Sequence, residues 1–506
     1  MTQTPLKGLR LLVSGFELEQ GEHRGIAVFT KNLLRALKQA GAEVWLLTEC
    51  SPNAKRIQKS QLPETIATTI FCAQVLERLN TTETIKERLK RTKGPLSKLP
   101  LSRYWLLLLN NTIRSQWMHR LFPRQSIPAA DLYIIPKSEL INSPYQRSER
   151  LSYLADLDGL ICANNCFQSS MALAKQKTTK TLTLHCDNFD GFICTSPLNI
   201  KPNDCSIYVQ TVHDLIPLQY QRTHDNLPCF TRRLISASHA RRWFVSQDAQ
   251  RNYNAAFLST NSGDLETACS VVTQPPSLQF PGDALDWESR TNQLQVPSLN
   301  RNLTHSFQPL SYLLFNSSVV PHKNLLFALR AFMESGLEQL GYQFCITGKP
   351  QKDEYSQEVK AIANNSRNIV FTGYVNEATK RQLYLNALAL ISPSLVEGFG
   401  IPVLDAACLG MTAIASPLES HQEIHHMNDF DQHVLLCSTI HTSDWASAMR
   451  LVSQRHLQDL EGQSDRLRQL KLNAIRQQRI LRYRHYQASI EQAFRKSVCS
   501  LITQQS

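Results

Sequence analysis

No apolar run in these 506 residues approaches the ~20 needed to cross a bilayer. The greasiest stretch, YWLLLL at Tyr104–Leu109, is far shorter, so no helical membrane span is expected. The N-terminus, MTQTPLKGLRLLVSGF, lacks the apolar core of a signal peptide and reads as a first buried strand. A cytoplasmic protein is the expectation. Paired cysteine motifs are missing as well. The thirteen cysteines are odd in number, and CANNC at 162–166 is followed by no matching pair or histidine cluster. Reduced, mostly buried thiols are expected, with neither a disulfide frame nor a zinc site. Sequons such as Asn80-Thr-Thr82 then carry no meaning. Helix-turn-helix, zinc-finger and RNA-binding signatures are absent too, which sets nucleic acid aside as a partner.

Positive charge is what the chain has in excess. The net charge is +12, unevenly spread. Glu77 to Arg124 holds eleven Lys/Arg against three Glu, a net of +8, and Ala448 to Lys496 holds eleven against four acids, a net of +7. Such stretches attract anionic lipid or phosphorylated ligands, or stand as solvated helix faces with no partner.

The length suits two large domains or three smaller ones. LRLLVSGF (9–16), the loop ELEQGEHRGI (17–26), the helix AVFTKNLLRALKQAG (27–41) and AEVWLLT (42–48) form a strand-helix-strand unit typical of a parallel sheet. Strands are expected at Leu132–Ile135, Leu160–Cys162, Gly191–Cys194, 206–217 and 240–246, with helical pieces near 72–92 and 103–121. Residues 275–308 are polar and read as an irregular link. Alternation then restarts: strands at 312–318, 342–348, 368–375, 388–394 and 411–416, helices at 323–335 and 377–387, and a long helical region over 443–498. Asn376 is placed to cap the 377–387 helix. Two successive parallel α/β domains follow.

The chemistry concentrates in SLVEGFGIPVLDAACLG (394–410). A strand feeds a glycine loop, and Pro402 opens a helix. Open α/β sheets bind ligands at such strand ends, and a helix N-terminus favours an anion such as phosphate. Gly398 and Gly400 allow close backbone approach. Glu397 precedes the turn, and Asp405 is expected in the first helical turn. Two acids around a phosphate cradle suit a sugar nucleotide, one for the sugar and one for the ribose. The plain alternative is a strand-loop-helix joint with a solvated Glu and an Asp that complements the helix dipole.

The same segment resembles the E-x7-E region of family-4 retaining glycosyltransferases of the GT-B fold. NSSVVPHKNLLFALRAF resembles that family's phosphate-binding strand-loop-helix. FTGYVNEATKRQLYLNALALISPS resembles the segment before the acidic motif, and RGIAVFTKNLLRAL the glycine loop and first helix. VQTVHDLIPLQY is similar to a sheet end in the subgroup of bacterial O-antigen mannosyltransferases. SHQEI (420–424) is similar to a later loop bearing a glutamate, Glu423. Residues 310–425 carry most of the likeness, with patches at 9–48 and 206–250; residues 50–190 look like an enlargement of the N-terminal domain.

The resemblance implies two Rossmann-like α/β domains facing across a cleft. These are 1–275 for the acceptor, a linker at 276–308, 309–475 for the nucleotide sugar, and a helix over 476–506 returning to the N-terminal domain. It implies catalytic roles for His213, Lys323 and Glu397. Glu397 contacts the transferred sugar, Lys323 neutralises the diphosphate and His213 faces the donor sugar. Donor binding falls to Gly25, Ile26, Asp214, Tyr374, Val375, Gly398, Phe399, Gly400 and Asp405, with Gly373 beside Tyr374 near the base. Asp405 takes the ribose role, where the family usually has Glu. His322 stands where the subgroup usually has Arg, and losing that charged fork weakens diphosphate binding unless another cation substitutes. His213 alternatively reads as a strand-end histidine satisfied by backbone groups, and Lys323 as a solvated lysine.

No metal-held site and no cofactor are implied beyond the donor substrate, GDP-mannose or a UDP-sugar. Two Asp-x-Asp triplets, Asp156–Asp158 and Asp429–Asp431, match what chance gives. The expected partner is a glycan or lipid-linked acceptor in surface polysaccharide synthesis, with the basic stretches resting on anionic lipid at the inner face of the membrane. A catalytically degenerate GT-B partner in glycan assembly is the competing expectation.

Overall fold

The computed structural model describes residues 4–23, 25–50, 63–81, 122–143, 145, 148–176, 180–221, 226–257, 269–282, 294–300, 303–460 and 463–504. The readings of a helical piece at 103–121 and of a basic run through Arg88, Lys90 and Arg91 lie outside these residues.

The strand Arg10–Ser14 carries Leu11, Leu12 and Val13 fully buried, because a parallel strand has both faces covered by other elements. It sits inside an eight-stranded sheet. From one edge the order runs Cys269–Val271, Arg241–Phe244, Ile207–Val212, Gly191–Cys194, Arg10–Ser14, Glu43–Thr48, Gly159–Ala163 and Leu132–Pro136. All pairs are parallel except the last. The first helix, Gly25–Gln39, turns Phe29, Leu33, Leu34 and Leu37 onto this sheet, each fully buried. A small three-stranded sheet, Ser126–Ile127, Leu182–Leu184 and Ile200–Pro202, adds to the first domain.

The second sheet has six parallel strands in the order Ile369–Phe371, Gln343–Ile346, Tyr312–Phe315, Ala389–Ser392, Thr412–Ala415 and Val434–Leu436. Asn376 caps the helix Glu377–Asn386 by accepting from the Thr379 N–H. Part of the stretch read as an irregular link is ordered. Leu294–Ser298 and Leu303–Phe307 form an antiparallel hairpin, and Leu299 and Asn300 bond the backbone of the 369–371 strand. Its alternation of buried and exposed residues is too short to stand out among polar neighbours.

The long closing region is two helices, Thr442–Leu460 and Asp465–Thr503. The second returns to the first domain, where Phe494 meets Phe29 edge-on at 5.6 Å and Arg495 bonds Gln39. Its basic residues are partly spent inside the molecule. Arg476 Nε donates to Asn386 Oδ1 at 2.7 Å. Arg479 donates to the carbonyls of Leu385 and Ala387 at 2.8 and 2.9 Å, covering the open C-terminal end of the helix Glu377–Asn386. Burial lowers the Arg479 pKa to about 10, which still leaves it a cation at neutral pH. The composition of 448–496 therefore overstates the charge that this region offers to an external anion. Among the described residues no helix is long and apolar enough to cross a membrane, and none of the thirteen cysteines forms a disulfide.

Candidate active site

A cleft of about 1050 Å³ opens between the two sheets, lined from both domains. On the second domain's side the strand Ala389–Ser392 ends, the glycine loop follows, and the helix Ile401–Leu409 begins with Pro402 in its first turn. Gly400 has φ +103°, a conformation that suits glycine, and a Cβ there would lie 2.7 Å from the His421 ring. At Gly398 a Cβ would lie 2.2 Å from the His213 carbonyl oxygen. The close approach that Gly398 permits is therefore to the backbone of the other domain.

Glu397 Oε1 accepts from Lys323 Nζ at 2.6 Å and from Ser394 Oγ at 2.7 Å. Burial pushes the Glu397 carboxyl up, but the charges of Lys323 and His421, with hydrogen bonds from Lys323 and Ser394, outweigh it. The net pKa is below the usual carboxylate range, so Glu397 is ionised. Lys323 sits in a single 3-10 turn, Pro321–Lys323, ahead of the helix Leu325–Glu334; it is part-buried and paired, not solvated. His322 has its pKa lowered to about 4, by burial first and then by Lys323, against the opposing charge of Glu397. It is neutral at physiological pH and does not replace an arginine. The second lysine lining the cleft is Lys380, whose Nζ lies 2.9 Å from Ser277 Oγ and 3.5 Å from Glu377.

Asp405 departs from its expected place. It is the fifth residue of its helix, in the second turn, and fully buried. Its Oδ1 accepts from the Ser277 N–H at 2.7 Å and from Tyr483 Oη at 2.8 Å; its Oδ2 accepts from Ser277 Oγ at 2.5 Å. Burial raises its pKa against the pull of Lys380 and these hydrogen bonds. At the base of the cleft the carboxylate ties together three parts of the chain: the acidic helix, the segment after the first sheet and the last helix. A sequence pattern cannot show this, because the partners lie 128 and 78 residues away.

His213 ends the strand Ile207–Val212 and lines the cleft. Its Nε2 lies 2.9 Å from the Thr195 carbonyl, which can only accept, so Nε2 carries the proton and Nδ1 the lone pair. Phe29 packs edge-on against the ring at 5.0 Å. Burial lowers the pKa to about 4, with the Thr195 bond opposing, and the imidazole is neutral. The backbone-satisfied alternative thus describes the residue correctly, and the same ring still faces the cleft.

Gly25 and Ile26, at the start of the first helix, line the cleft, and the Gly25 carbonyl accepts from Gln274 Nε2 at 2.8 Å. Asp214, Tyr374, Val375 and the buried Phe399 line it too. Asp214 Oδ1 accepts from the Ile216 N–H at 3.2 Å. All twelve candidate residues thus border one cavity. The Asp-x-Asp triplets do not: Asp158 is bound by Lys38 and the Val44 N–H, and Asp429 by Arg482 and Tyr486. Ser277, Lys380 and Ser394 were missed by sequence reasoning. Ser394 stood inside the quoted motif, and Lys380 lies one turn into a correctly placed helix after a strand end; Ser277 carried no local signal.

Residues 304–454 match the family described as glycosyl transferases group 1, a span just under a third of the chain. An uncharacterized glycosyltransferase of Methanocaldococcus jannaschii is 29% identical over 118 residues, which cover 23% of this chain and 30% of that protein. The O-antigen chain mannosyltransferase B of Escherichia coli is 27% identical over 115 residues, 22% of this chain and 30% of that protein. The chain thus spans about a third of the length of the curated relatives it matches. Among solved structures, a sucrose-phosphate synthase from Thermosynechococcus elongatus superposes with a TM-score of 0.51 at 12% identity, covering 98% of each chain. The two-sheet arrangement is the GT-B fold.

Proposed function

We propose that this chain is a retaining, metal-independent glycosyltransferase of family-4 type. It moves a hexose from a nucleotide sugar to a glycan or lipid-linked acceptor in surface polysaccharide synthesis. Mannose from GDP-mannose is the preferred donor, with a UDP-sugar next. The observation that carries this reading is the part-buried Lys323–Glu397 pair at the mouth of a glycine-loop helix, facing His213 across one interdomain cleft. The group 1 match over 304–454 and the short likeness to the mannosyltransferase support it.

In this reading the donor diphosphate lies at the N-terminal end of the helix Ile401–Leu409, where the helix dipole favours it. Charge grows on the leaving diphosphate as the glycosidic bond breaks. Lys323 is placed to meet that charge, and its partner Glu397, ionised and held by Ser394, then faces the transferred sugar. The neutral His213 presents Nδ1 as a hydrogen-bond acceptor for a sugar hydroxyl. The acceptor hydroxyl attacks from the face the diphosphate leaves, and the diphosphate takes its proton. Lys380 is the second cation that compensates for the neutral His322. Peripheral contact with anionic lipid at the inner membrane face belongs to the same reading.

The test is a thermal-shift series with GDP, UDP, ADP and dTDP on wild type and on the Lys323→Ala/Glu397→Ala double variant. A nucleotide at a hundred times its dissociation constant stabilises by about 2.7 kcal/mol. One nucleotide is expected to shift the wild type and not the variant. No shift with any of them overturns the reading.

A further inference from the structure

The helix Gln247–Phe257 belongs to the first domain, yet its first turn is completed by the second. Its own N-cap, Ser246, accepts from the Ala249 N–H at 3.0 Å. The N–H groups of Gln247 and Asp248 instead donate to Glu423 Oε2 and Oε1, at 3.0 and 2.8 Å. Glu423 sits on the helix Glu419–His425 of the second domain. An anion at a helix N-terminus is favoured both by the open N–H groups and by the dipole. When the domains part, those two donors lose their partner.

Ser246 makes the second link. Its hydroxyl donates to the Gly398 carbonyl at 2.6 Å while serving as the N-cap. Gly398 itself leaves no room for a side chain against His213. The loop that carries Glu397 is therefore clamped between the end of the Ile207–Val212 strand and the start of the Gln247–Phe257 helix. Arg251 and Glu419 also bridge the domains at 2.5 Å, but both are more than half exposed, so water screens that pair. Neither Ser246 nor Glu423 borders the cleft.

We propose that Ser246 and Glu423 are positioning residues: they form an interdomain latch that seats the Glu397–Gly400 loop against the first domain, in the arrangement where Glu397 and His213 share one cavity. The catalytic half of this inference rests on the transferase reading above; the latch itself does not. Closing a two-domain cleft excludes water and completes a site whose groups come from both sides. A latch of this kind acts on the bound, closed state, so its loss lowers kcat more than it raises the donor KM.

The test uses the full chain as wild type, Glu423→Ala, Glu423→Gln and Ser246→Ala. Two readouts need no activity: amide hydrogen exchange over residues 245–252, and the radius of gyration in solution. Glu423→Ala is expected to raise exchange at Gln247 and Asp248 about tenfold, the order expected for a lost charge-assisted hydrogen bond, and to enlarge the particle. Glu423→Gln, which keeps an acceptor and loses the charge, is expected to fall between. In the transfer assay kcat falls about tenfold with little change in donor KM, and Glu423→Gln recovers part of it. Unchanged exchange and size in Glu423→Ala and Ser246→Ala overturn the latch. Raised exchange with kcat unchanged overturns the positioning role. If wild type transfers no sugar while exchange and size respond as expected, the latch stands and the transferase reading fails.

Discussion

Lys323 Nζ and Glu397 Oε1 lie 2.6 Å apart, with side chains 14% and 13% exposed. Each holds the other's charge in a place where neither is well solvated. Removing one partner leaves the other part-buried and unpaired, which costs up to about 3 kcal/mol. Lys323→Met and Glu397→Gln are each expected to lower the urea midpoint. The double variant is expected to lose less than the sum, because no charge is left alone. Additive losses in a double-mutant cycle would show that the two charges do not interact.

Asp405 is expected to act as a structural tie. Tyr483→Phe removes the hydroxyl that donates to Asp405 and accepts from the Leu278 N–H. It should destabilise by about 1–3 kcal/mol, seen as a lower melting temperature, with nucleotide affinity unchanged. Asp405→Asn is expected to do the same. A tenfold or larger loss of nucleotide affinity in Asp405→Asn, without loss of stability, would return the residue to the ribose role.

Gly400→Ala tests the loop. The new Cβ meets the His421 ring and must adopt φ +103°. A loss of roughly 1–3 kcal/mol is expected from the backbone alone, together with loss of nucleotide binding. Gly398→Ala meets a backbone oxygen of the other domain, so it should enlarge the particle in solution while leaving each domain folded. A compact Gly398→Ala variant would mean that the loop can yield.

Three histidines at the cleft, His23, His213 and His322, have pKa values lowered to about 3, 4 and 4, with burial as the first cause in each. The unfolded chain binds these protons near pH 6.5, and the folded chain does not. Their contribution is therefore complete above about pH 6.5 and is lost as pH falls toward 4. Melting temperature is expected to fall steadily over that range, and His213→Gln to flatten part of the slope. The sugar-transfer rate is expected to show no limb near pH 6.5 from His213; a limb there that vanishes in His213→Gln would contradict a neutral ring.

Much of the architecture was legible in the residues. The strands at 10–14, 43–48, 191–194, 312–315, 343–346, 389–392 and 412–415 are short apolar runs bounded by turn residues, and covered parallel strands read that way. Asn376 signalled its helix, and Pro402 the helix after the glycine loop. The hairpin at 294–307 and the strand Val434–Leu436 were not legible, since each is a few residues long in a polar setting. The helix Gln247–Phe257 carries a local N-cap in Ser246, but the acceptor for its first two N–H groups is on the other domain, where no local pattern shows it.

The sequence by itself determined the order of strands and helices and put a glycine loop with an acid at a strand's end. Those features depend on neighbours within a turn or two, and local periodicity and turn chemistry encode them. Only the tertiary structure decided what the charged groups do. It paired Lys323 with Glu397, turned Asp405 onto Ser277 and Tyr483, drew Arg476 and Arg479 inward and set Gly398 against His213. Each of those contacts joins residues far apart in the chain, and a buried charge takes its character from whichever partner the fold delivers to it.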